Sequence, residues 1–168
     1  MEEIFFCPGC MAKTAPVDGK CPVCGSNVNM ENAPHQLPVN TILYGRYIVG
    51  RVLGAGGFGI TYIGYDLKLD GRVAIKEYYP SGAANRSVSL TVYPTAEGNG
   101  NPFELGKERF LKEARVLSGF VEDSSIVTLR DYFEENGTAY IVMEYLDGED
   151  LSHYAAKHGK FTFDEALD

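Results

Sequence analysis

A glycine-rich hexapeptide, Gly54-Ala55-Gly56-Gly57-Phe58-Gly59, joins two stretches that are rich in aromatic and β-branched residues and therefore predict strands. The strands are Tyr44 to Leu53 before the glycines and Ile60 to Tyr65 after them. A G-x-G-x-x-G motif that binds dinucleotides opens a helix, and a P-loop continues into Gly-Lys-Ser/Thr. Neither pattern occurs here. The segment is either a flexible hairpin loop or a hairpin lid whose backbone N–H groups meet phosphate oxygens.

A third strand follows this hairpin. Asp70-Gly71 predicts a tight turn, and Arg72 to Tyr78 predicts a strand that contains Val73-Ala74-Ile75-Lys76. Taken alone, Lys76 is either an exposed strand lysine or a phosphate ligand. Taken with the glycines, the chain resembles the start of a protein kinase domain. The likeness is closer to bacterial Ser/Thr protein kinases that carry Gly-Phe-Gly-Ile-Thr-Tyr and Lys-Glu-Tyr-Tyr-Pro stretches.

The resemblance implies an ATP site. Lys76 would reach the α and β phosphates, Met143 would guard the rear of the pocket, and the backbone of Glu144 and Leu146 would hydrogen-bond the adenine edge. Simple core packing is an equally good reading of Met143. Thr61 departs from the family's usual valine, and because threonine keeps the branched shape we expect a modest effect. The nucleotide-contacting residues implied in this way are Leu53, Gly54, Ala55, Gly56, Gly57, Phe58, Gly59, Thr61, Ala74, Lys76, Met143, Glu144 and Leu146.

A helix is predicted after a long Gly-, Ser- and Asn-rich stretch, residues 79–101, in which Leu90 to Tyr93 is a candidate short strand. Asn101-Pro102-Phe103-Glu104 has the cap, the first-turn proline and the acidic third position of a helix start. Gly119 can end the helix. The apolar positions at helical spacing are Phe103, Phe110, Ala114 and Leu117.

Protein kinases hold the strand lysine with a glutamate on this helix. Glu104, Glu108 and Glu113 are candidates, and Glu113 is best placed because it lies about 70° from the centre of the apolar face. It also matches the family's Phe-x-x-Glu-Ala pattern at Phe110 to Ala114. The alternative is a solvated acid that pairs with a neighbouring basic residue of the helix. The resemblance therefore implies catalytic roles for Lys76 and Glu113.

The rest of the second part is predicted as a hairpin followed by helices. Glu135-Asn136-Gly137-Thr138 is a strong hairpin signal between the strands Ile126–Phe133 and Ala139–Leu146. Asp150 to His158 predicts a short helix. Thr162-Phe163-Asp164-Glu165 is a capping box, three residues before the last residue of the chain. We therefore expect the chain to be the front part of a longer protein.

The four cysteines all lie within the first 24 residues, as Cys7-Pro8-Gly9-Cys10 and Cys21-Pro22-Val23-Cys24. Two C-x-x-C pairs can supply four thiolates to one tetrahedral ion, and zinc suits such a set. Disulfides would need an oxidising compartment, and a thioredoxin-like motif would need an adjacent βαβ unit. The pattern therefore favours a structural Zn²⁺ site with ligands Cys7, Cys10, Cys21 and Cys24. It resembles a zinc ribbon, to which a protein partner could bind.

The overall charge limits the choice of partners. Fifteen basic against 23 acidic residues give a net charge of −8, which makes nucleic acid an unlikely partner because such binding needs a basic surface. No apolar run is long enough to span a membrane, and the acidic start does not resemble a secretory signal. We expect a cytoplasmic protein.

The predicted fold class is α+β: a small zinc ribbon, then a kinase-like N-lobe with a five-stranded antiparallel sheet and one main helix, then the first helices of a truncated C-lobe. The predicted boundaries are 1–29 for the ribbon, 30–41 for a proline-containing linker, 42–147 for the N-lobe and 148–168 for the start of the C-lobe.

The resemblance implies the ATP-binding part of a kinase that phosphorylates Ser and Thr hydroxyls of proteins. The sequence contains neither H-R-D nor D-F-G, so the Mg²⁺ ligands and the catalytic base are expected in the missing lobe and the chain alone is expected to be inactive. The alternative is a pseudokinase or nucleotide-responsive interaction module that docks through its ribbon.

Overall fold

The computed structural model describes residues 5–95, 102–119, 126–149 and 151–159. Asn101, Asp150 and the capping box at 162–165 lie outside these ranges. Within these ranges the chain forms eight strands and two helices. In order they are β1 (Ile42–Leu43), β2 (Tyr47–Gly56), β3 (Gly59–Asp66), β4 (Gly71–Tyr78), β5 (Ala84–Arg86), β6 (Val92–Pro94), α1 (Pro102–Leu117), β7 (Leu129–Glu135), β8 (Thr138–Glu144) and α2 (Leu151–His158).

The main sheet is antiparallel and has the strand order β1-β2-β3-β4-β8-β7. Its five longer strands confirm the predicted sheet, and the two-residue β1 adds a sixth at the edge. The turn between β7 and β8 consists of Asn136 and Gly137, whose φ angles are 53° and 72°. Both values lie in the left-handed region that a two-residue type I′ turn requires, which explains the Asn-Gly signal. Helix α1 begins at Pro102 in agreement with its predicted first-turn proline.

Side chains alternate between the two faces of the sheet. Thr61 lies opposite Lys76, and Ala74 lies opposite Met143, so these four residues share one face, which we call the helix face because α1 packs on it. The other face, which we call the outer face, carries Tyr62, Ile75 and Val142 in register. Four candidate nucleotide side chains on β3, β4 and β8 are therefore brought to one side, whereas Glu144, whose implied role is through its backbone, pairs with Val73 at the alternate position.

The outer face is covered by two segments whose packing on the sheet was not predicted from the sequence. Leu37, in the stretch predicted as a linker, is completely buried, and its amide donates to the Tyr62 hydroxyl at 3.0 Å. Strands β5 and β6 form a separate two-stranded hairpin that buries Ala84 and Val92. Strand β6 overlaps the predicted short strand, whereas β5 was not predicted. Both segments pack on the sheet and contribute to its core.

A buried ion pair joins this cover to β4. The Arg86 Nη2 donates to both carboxylate oxygens of Glu77 at 2.7 Å, and neither side chain is more than 2% exposed. The hydroxyls of Tyr62 and Tyr140 donate to the same carboxylate at 2.8 and 3.1 Å. Arg86 also donates to the carbonyl oxygens of His35 and Leu90, at 3.0 Å each. This network fixes the strand residue next to Lys76.

Replacing Arg86 by methionine is expected to lower the free energy of unfolding by about 3–5 kcal/mol, because it leaves the Glu77 carboxylate buried without its counter-charge. The matched control is Arg72→Met, which breaks an exposed pair with Asp147 at 3.2 Å. Its loss should be no more than about 1 kcal/mol. Denaturant unfolding of both variants measures the difference, and equal losses would contradict the role assigned to Arg86.

Candidate nucleotide site and metal centre

The glycine-rich segment is a hairpin at the end of β2 and β3. Gly56 pairs with Gly59 and Gly54 pairs with Thr61, while Gly57 and Phe58 form the turn. A Cβ atom at Gly54, Gly56 or Gly57 would meet nothing within 4 Å, so this backbone is open to a ligand. Phe58 at the tip is 79% exposed.

Gly59 differs from the other three glycines. A Cβ atom there would lie 2.2 Å from the Glu77 carbonyl oxygen, so packing against β4 requires glycine at this position. The tip is also tied to the chain after β4. The amides of Tyr79 and Ser81 donate to the carbonyl oxygens of Phe58 and Gly57 at 3.3 and 3.1 Å. The hairpin therefore has an open face and an anchored tip.

Lys76 and Glu113 lie side by side on the helix face. The Lys76 Nζ is 3.8 Å from Glu113 Oε1 and 5.5 Å from the centre of the Phe110 ring. At 3.8 Å the two charges form an ion pair that is longer than a hydrogen bond. Because an ammonium group carries three donors, Lys76 can hold this partner and an anionic ligand together.

Helix α1 is held in place by aromatic packing and a close approach. Tyr78 lies 5.2 and 5.6 Å from the rings of Phe103 and Phe110. A Cβ atom at Gly106 would lie 2.0 Å from the Tyr78 hydroxyl, so the helix can approach this closely only with glycine there. Glu104, the second candidate acid, pairs instead with Lys107 at 2.9 Å. Of these two glutamates, Glu113 is the one placed at Lys76.

The segment after β8 begins at Met143, which lies across from Ala74. The Glu144 amide donates to the Thr128 carbonyl oxygen at 3.0 Å, and the Glu144 carboxylate accepts from the Thr128 amide at 2.7 Å. The bonds to Thr128 lower the pKa of Glu144. Since the Glu144 amide is already used, a ligand contact from its backbone has to come from the carbonyl oxygen. Leu146 follows the strand and is 67% exposed.

A cavity of about 700 Å³ lies between the tip of the glycine hairpin and helix α1. Its walls include Phe58, Tyr78 and Phe103, together with the charged residues Arg109 and Glu113. Ala74, Met143 and Leu146, which the resemblance assigns to the adenine, do not line it. Lys76 does not line it either, so the cavity meets the predicted nucleotide surface at the hairpin tip and beside Glu113.

The four cysteine sulfurs converge on one point. All four lie within 4.8 Å of one another, with Cys7 and Cys24 at 3.7 Å and Cys10 and Cys21 at 3.8 Å. Sulfurs bound to one tetrahedral zinc ion at about 2.3 Å lie about 3.8 Å apart, so the spacing fits that ion. It does not fit a disulfide, whose sulfurs are about 2.05 Å apart. The donor set therefore fits a metal such as zinc.

The two cysteine pairs form matching turns. The amides of Met11 and Gly25 donate to the carbonyl oxygens of Cys7 and Cys21, at 2.7 and 2.8 Å. Both donor residues have positive φ angles, 59° for Met11 and 75° for Gly25. Glycine is the usual residue for such a backbone, so the methionine at the first turn is exceptional. Its side chain is 1% exposed, which indicates that packing is the reason for its presence.

The thiols differ in acidity. Burial, aided by hydrogen bonds with the other cysteines, raises the pKa of Cys10 to about 12. Burial also opposes ionisation of Cys24, but hydrogen bonds with Ser26 and the neighbouring thiols outweigh it and lower the pKa of Cys24 to about 6. Of these two thiols, Cys24 is the one that more readily offers a thiolate at neutral pH.

Sequence reasoning did not find Glu77, Arg86 or Met11 as residues that support the site. Glu77 entered the sequence analysis only as part of the Lys-Glu-Tyr-Tyr-Pro stretch that resembles bacterial Ser/Thr protein kinases. The sole local signal for Met11 is that glycine stands at the equivalent position of the second cysteine turn.

Residues 47–168 match the protein kinase domain family, and the chain belongs to that family. Serine/threonine-protein kinase B of Synechocystis sp. is 30% identical over 144 residues, which are 78% of this chain and 22% of that protein. Serine/threonine-protein kinase PrkC of Bacillus subtilis is 34% identical over 123 residues, 73% of this chain and 16% of that protein. The chain thus spans less than a quarter of either relative.

A solved structure described as PpkA-294 apo form shares the fold. Its TM-score is 0.69 at 33% identity, over 74% of this chain and 43% of that one. These similarities confirm the predicted kinase resemblance and the α+β class. Among the described residues, no helix is both long and apolar enough to cross a membrane.

Proposed function

We propose that this chain is the ATP-binding part of a protein serine/threonine kinase, which transfers the γ-phosphate of ATP to Ser and Thr hydroxyls of proteins. One observation carries the proposal: Lys76 Nζ lies 3.8 Å from Glu113 Oε1, on the sheet face that leads into the open glycine hairpin. A cation held by an acid beside exposed backbone amides is suited to bind a polyphosphate.

Each part of the site has a distinct role. Lys76 neutralises the α and β phosphates, and Glu113 keeps the lysine in place. The amides between Gly54 and Gly59 cover the triphosphate. The adenine packs against Leu53, Thr61, Ala74 and Met143, while the Glu144 carbonyl and the Leu146 amide bond its edge. Catalysis in such a site comes mainly from positioning and charge neutralisation.

Mg²⁺ would accompany ATP; protein kinases hold it through the Asn after H-R-D and the Asp of D-F-G, and neither motif occurs in this sequence. We propose that the four thiolates bind a structural Zn²⁺, which supplies the folding free energy of a segment too small for its own core. Four reduced thiols suit a reducing compartment, so we place the protein in the cytoplasm. A protein partner of the ribbon would contact Val23, an apolar side chain that is 67% exposed.

Incubation of the full-length protein with Mg²⁺ and γ-labelled ATP, with casein as a general acceptor, tests the proposed reaction. We expect label on Ser or Thr residues of casein or of the protein itself, mapped by mass spectrometry. Binding of ATP without transfer to either protein would favour the alternative, a nucleotide-responsive interaction module.

A further inference from the structure

Strand β2 loses its regular pairing just before the glycine hairpin. Its register with β3 shifts twice, between Val49 and Val52 and again between Val52 and Gly54. Val52 still pairs with Tyr62, whereas Gly50 and Arg51 have no register partner on β3. Their backbone groups need other partners, because unpaired polar groups in a buried segment are costly. Gly50 is buried and Arg51 is half-buried.

The N-terminal part of the chain supplies those partners. The Arg51 amide donates to the Pro8 carbonyl oxygen at 2.8 Å. The Asn32 side-chain amide donates to the Gly50 carbonyl oxygen at 3.0 Å, and its oxygen accepts from the Val52 amide at 3.3 Å. Pro8 of the cysteine ribbon and Asn32 of the segment after it thus bond the backbone of β2 where its pairing with β3 is irregular.

Two further contacts make this junction tight. The Arg51 Nε donates to the Gly9 carbonyl oxygen at 2.9 Å. A Cβ atom at Gly50 would lie 2.1 Å from the end of the Met11 side chain and 2.6 Å from the Pro8 carbonyl oxygen. Only glycine fits there while the ribbon is seated.

The ribbon is seated on the helix face. Met11 packs with Ile48, Ile63 and Tyr65, and Ile63 lies across from Ala74, one of the residues assigned to the adenine. Phe6 adds a ring contact with Tyr65 at 4.7 Å between centroids.

An ion pair extends this contact to the turn after β3. Lys13 pairs with Asp70, which also accepts a hydrogen bond from the Tyr65 hydroxyl at 2.8 Å. The ribbon is therefore fixed by apolar, polar and ionic contacts to the two strands that lead into and out of the glycine hairpin.

We propose that the ribbon, anchored by Met11, and Asn32 together clamp residues 50–52 and so set where the glycine hairpin begins. This proposal rests on the proposed function, since the consequence is that nucleotide affinity depends on a seated ribbon. The physical reason is entropic. A Cβ atom at Gly54, Gly56 or Gly57 would meet nothing within 4 Å, and the Tyr79 and Ser81 amides hold only the tip. A hairpin with a looser base therefore leaves more chain for the ligand to order. Asn32, Met11 and Arg51 are positioning residues in this account.

Two variants of the full-length, zinc-loaded protein test the clamp. Met11→Ala removes the anchor. Asn32→Leu, at similar size, removes the hydrogen bonds to Gly50 and Val52, together with the one that the Asn32 amide donates to the Leu37 carbonyl oxygen at 2.7 Å. The matched control is Val17→Ala, which truncates an exposed ribbon side chain that lies outside the contact. Zinc content, backbone hydrogen exchange and the affinity for a fluorescent ATP analogue with Mg²⁺ are measured for all four proteins.

We expect one zinc per chain in every protein, and unchanged exchange and affinity in Val17→Ala. In Met11→Ala and Asn32→Leu, the amides of residues 50–59 should exchange at least about fivefold faster. Their nucleotide affinity should fall about tenfold, equivalent to about 1.4 kcal/mol.

The clamp would be overturned if exchange became faster at residues 50–52 while hairpin exchange and the affinity for the ATP analogue stayed unchanged. Unchanged exchange throughout both variants would overturn it as well. If the wild-type protein itself binds no nucleotide, the proposed function fails, whereas the exchange measurement still tests the clamp.

Discussion

Replacing Lys76 by methionine is expected to lower phosphoryl transfer by the full-length protein by about a hundred- to a thousandfold, the usual loss when one preorganised charged donor is removed. Methionine keeps the apolar stem of the side chain and its contact with Phe110, while it removes the ammonium that faces Glu113 at 3.8 Å. Transfer of label from γ-labelled ATP measures the loss, and thermal unfolding verifies that the variant is folded.

The matched control is Lys112→Met, which removes an exposed lysine of helix α1 one residue before Glu113. The activity of Lys112→Met should remain near that of the wild type, because this substitution changes the net charge as Lys76→Met does but leaves the proposed nucleotide site intact. Full activity in Lys76→Met, or equal losses in the two variants, would mean that Lys76 does not bind the phosphates.

Replacing Cys21 by serine is expected to abolish stable metal binding and to unfold the ribbon. Structural zinc sites of this kind contribute about 10–16 kcal/mol of apparent binding free energy, which a segment with almost no core cannot replace. Elemental analysis after dialysis against a mild chelator should show one zinc per wild-type chain and almost none in the variant. Hydrogen exchange of residues 5–28 should rise to that of an unfolded segment.

The control for this experiment is the wild-type protein stripped of metal and then given Zn²⁺ again, which should recover both metal content and exchange protection. Strands β7 and β8, whose residues do not belong to the apolar cluster around Met11, should remain protected in the variant. A Cys21→Ser protein that retains one zinc and a protected ribbon would show that the four thiols do not form the metal site.

The sequence predicted the glycine hairpin, the strand with Lys76 and the helix with Glu113 because each depends on a local pattern. Glycine spacing, strand alternation and helical periodicity act over a few residues, and the register of the hairpins then follows from short turns such as Asn136-Gly137. The resemblance to protein kinases predicted that Lys76 and Glu113 form a pair, and the structure places their side chains next to each other.

The contacts that organise the outer parts of the molecule depend on long-range partners and leave little trace in the sequence. Asn32 lies in a proline-containing stretch with the composition of a linker, yet its side chain hydrogen-bonds the backbone of Gly50 and Val52 at the irregular part of β2. Arg86 lies in a polar stretch, and nothing in the local sequence indicates that its side chain pairs with the buried Glu77. In both cases tertiary contacts override what local composition indicates.

Titration of ATP into the isotope-labelled protein, followed through its backbone amide signals, tests the central account most directly. We expect one binding event that shifts the amides of Gly54 to Gly59, Lys76 and Leu146, and these shifts should be lost or weakened in Lys76→Met. Shifts confined to the ribbon or to helix α2, or none at millimolar ATP, would contradict the assignment of this face as a nucleotide site.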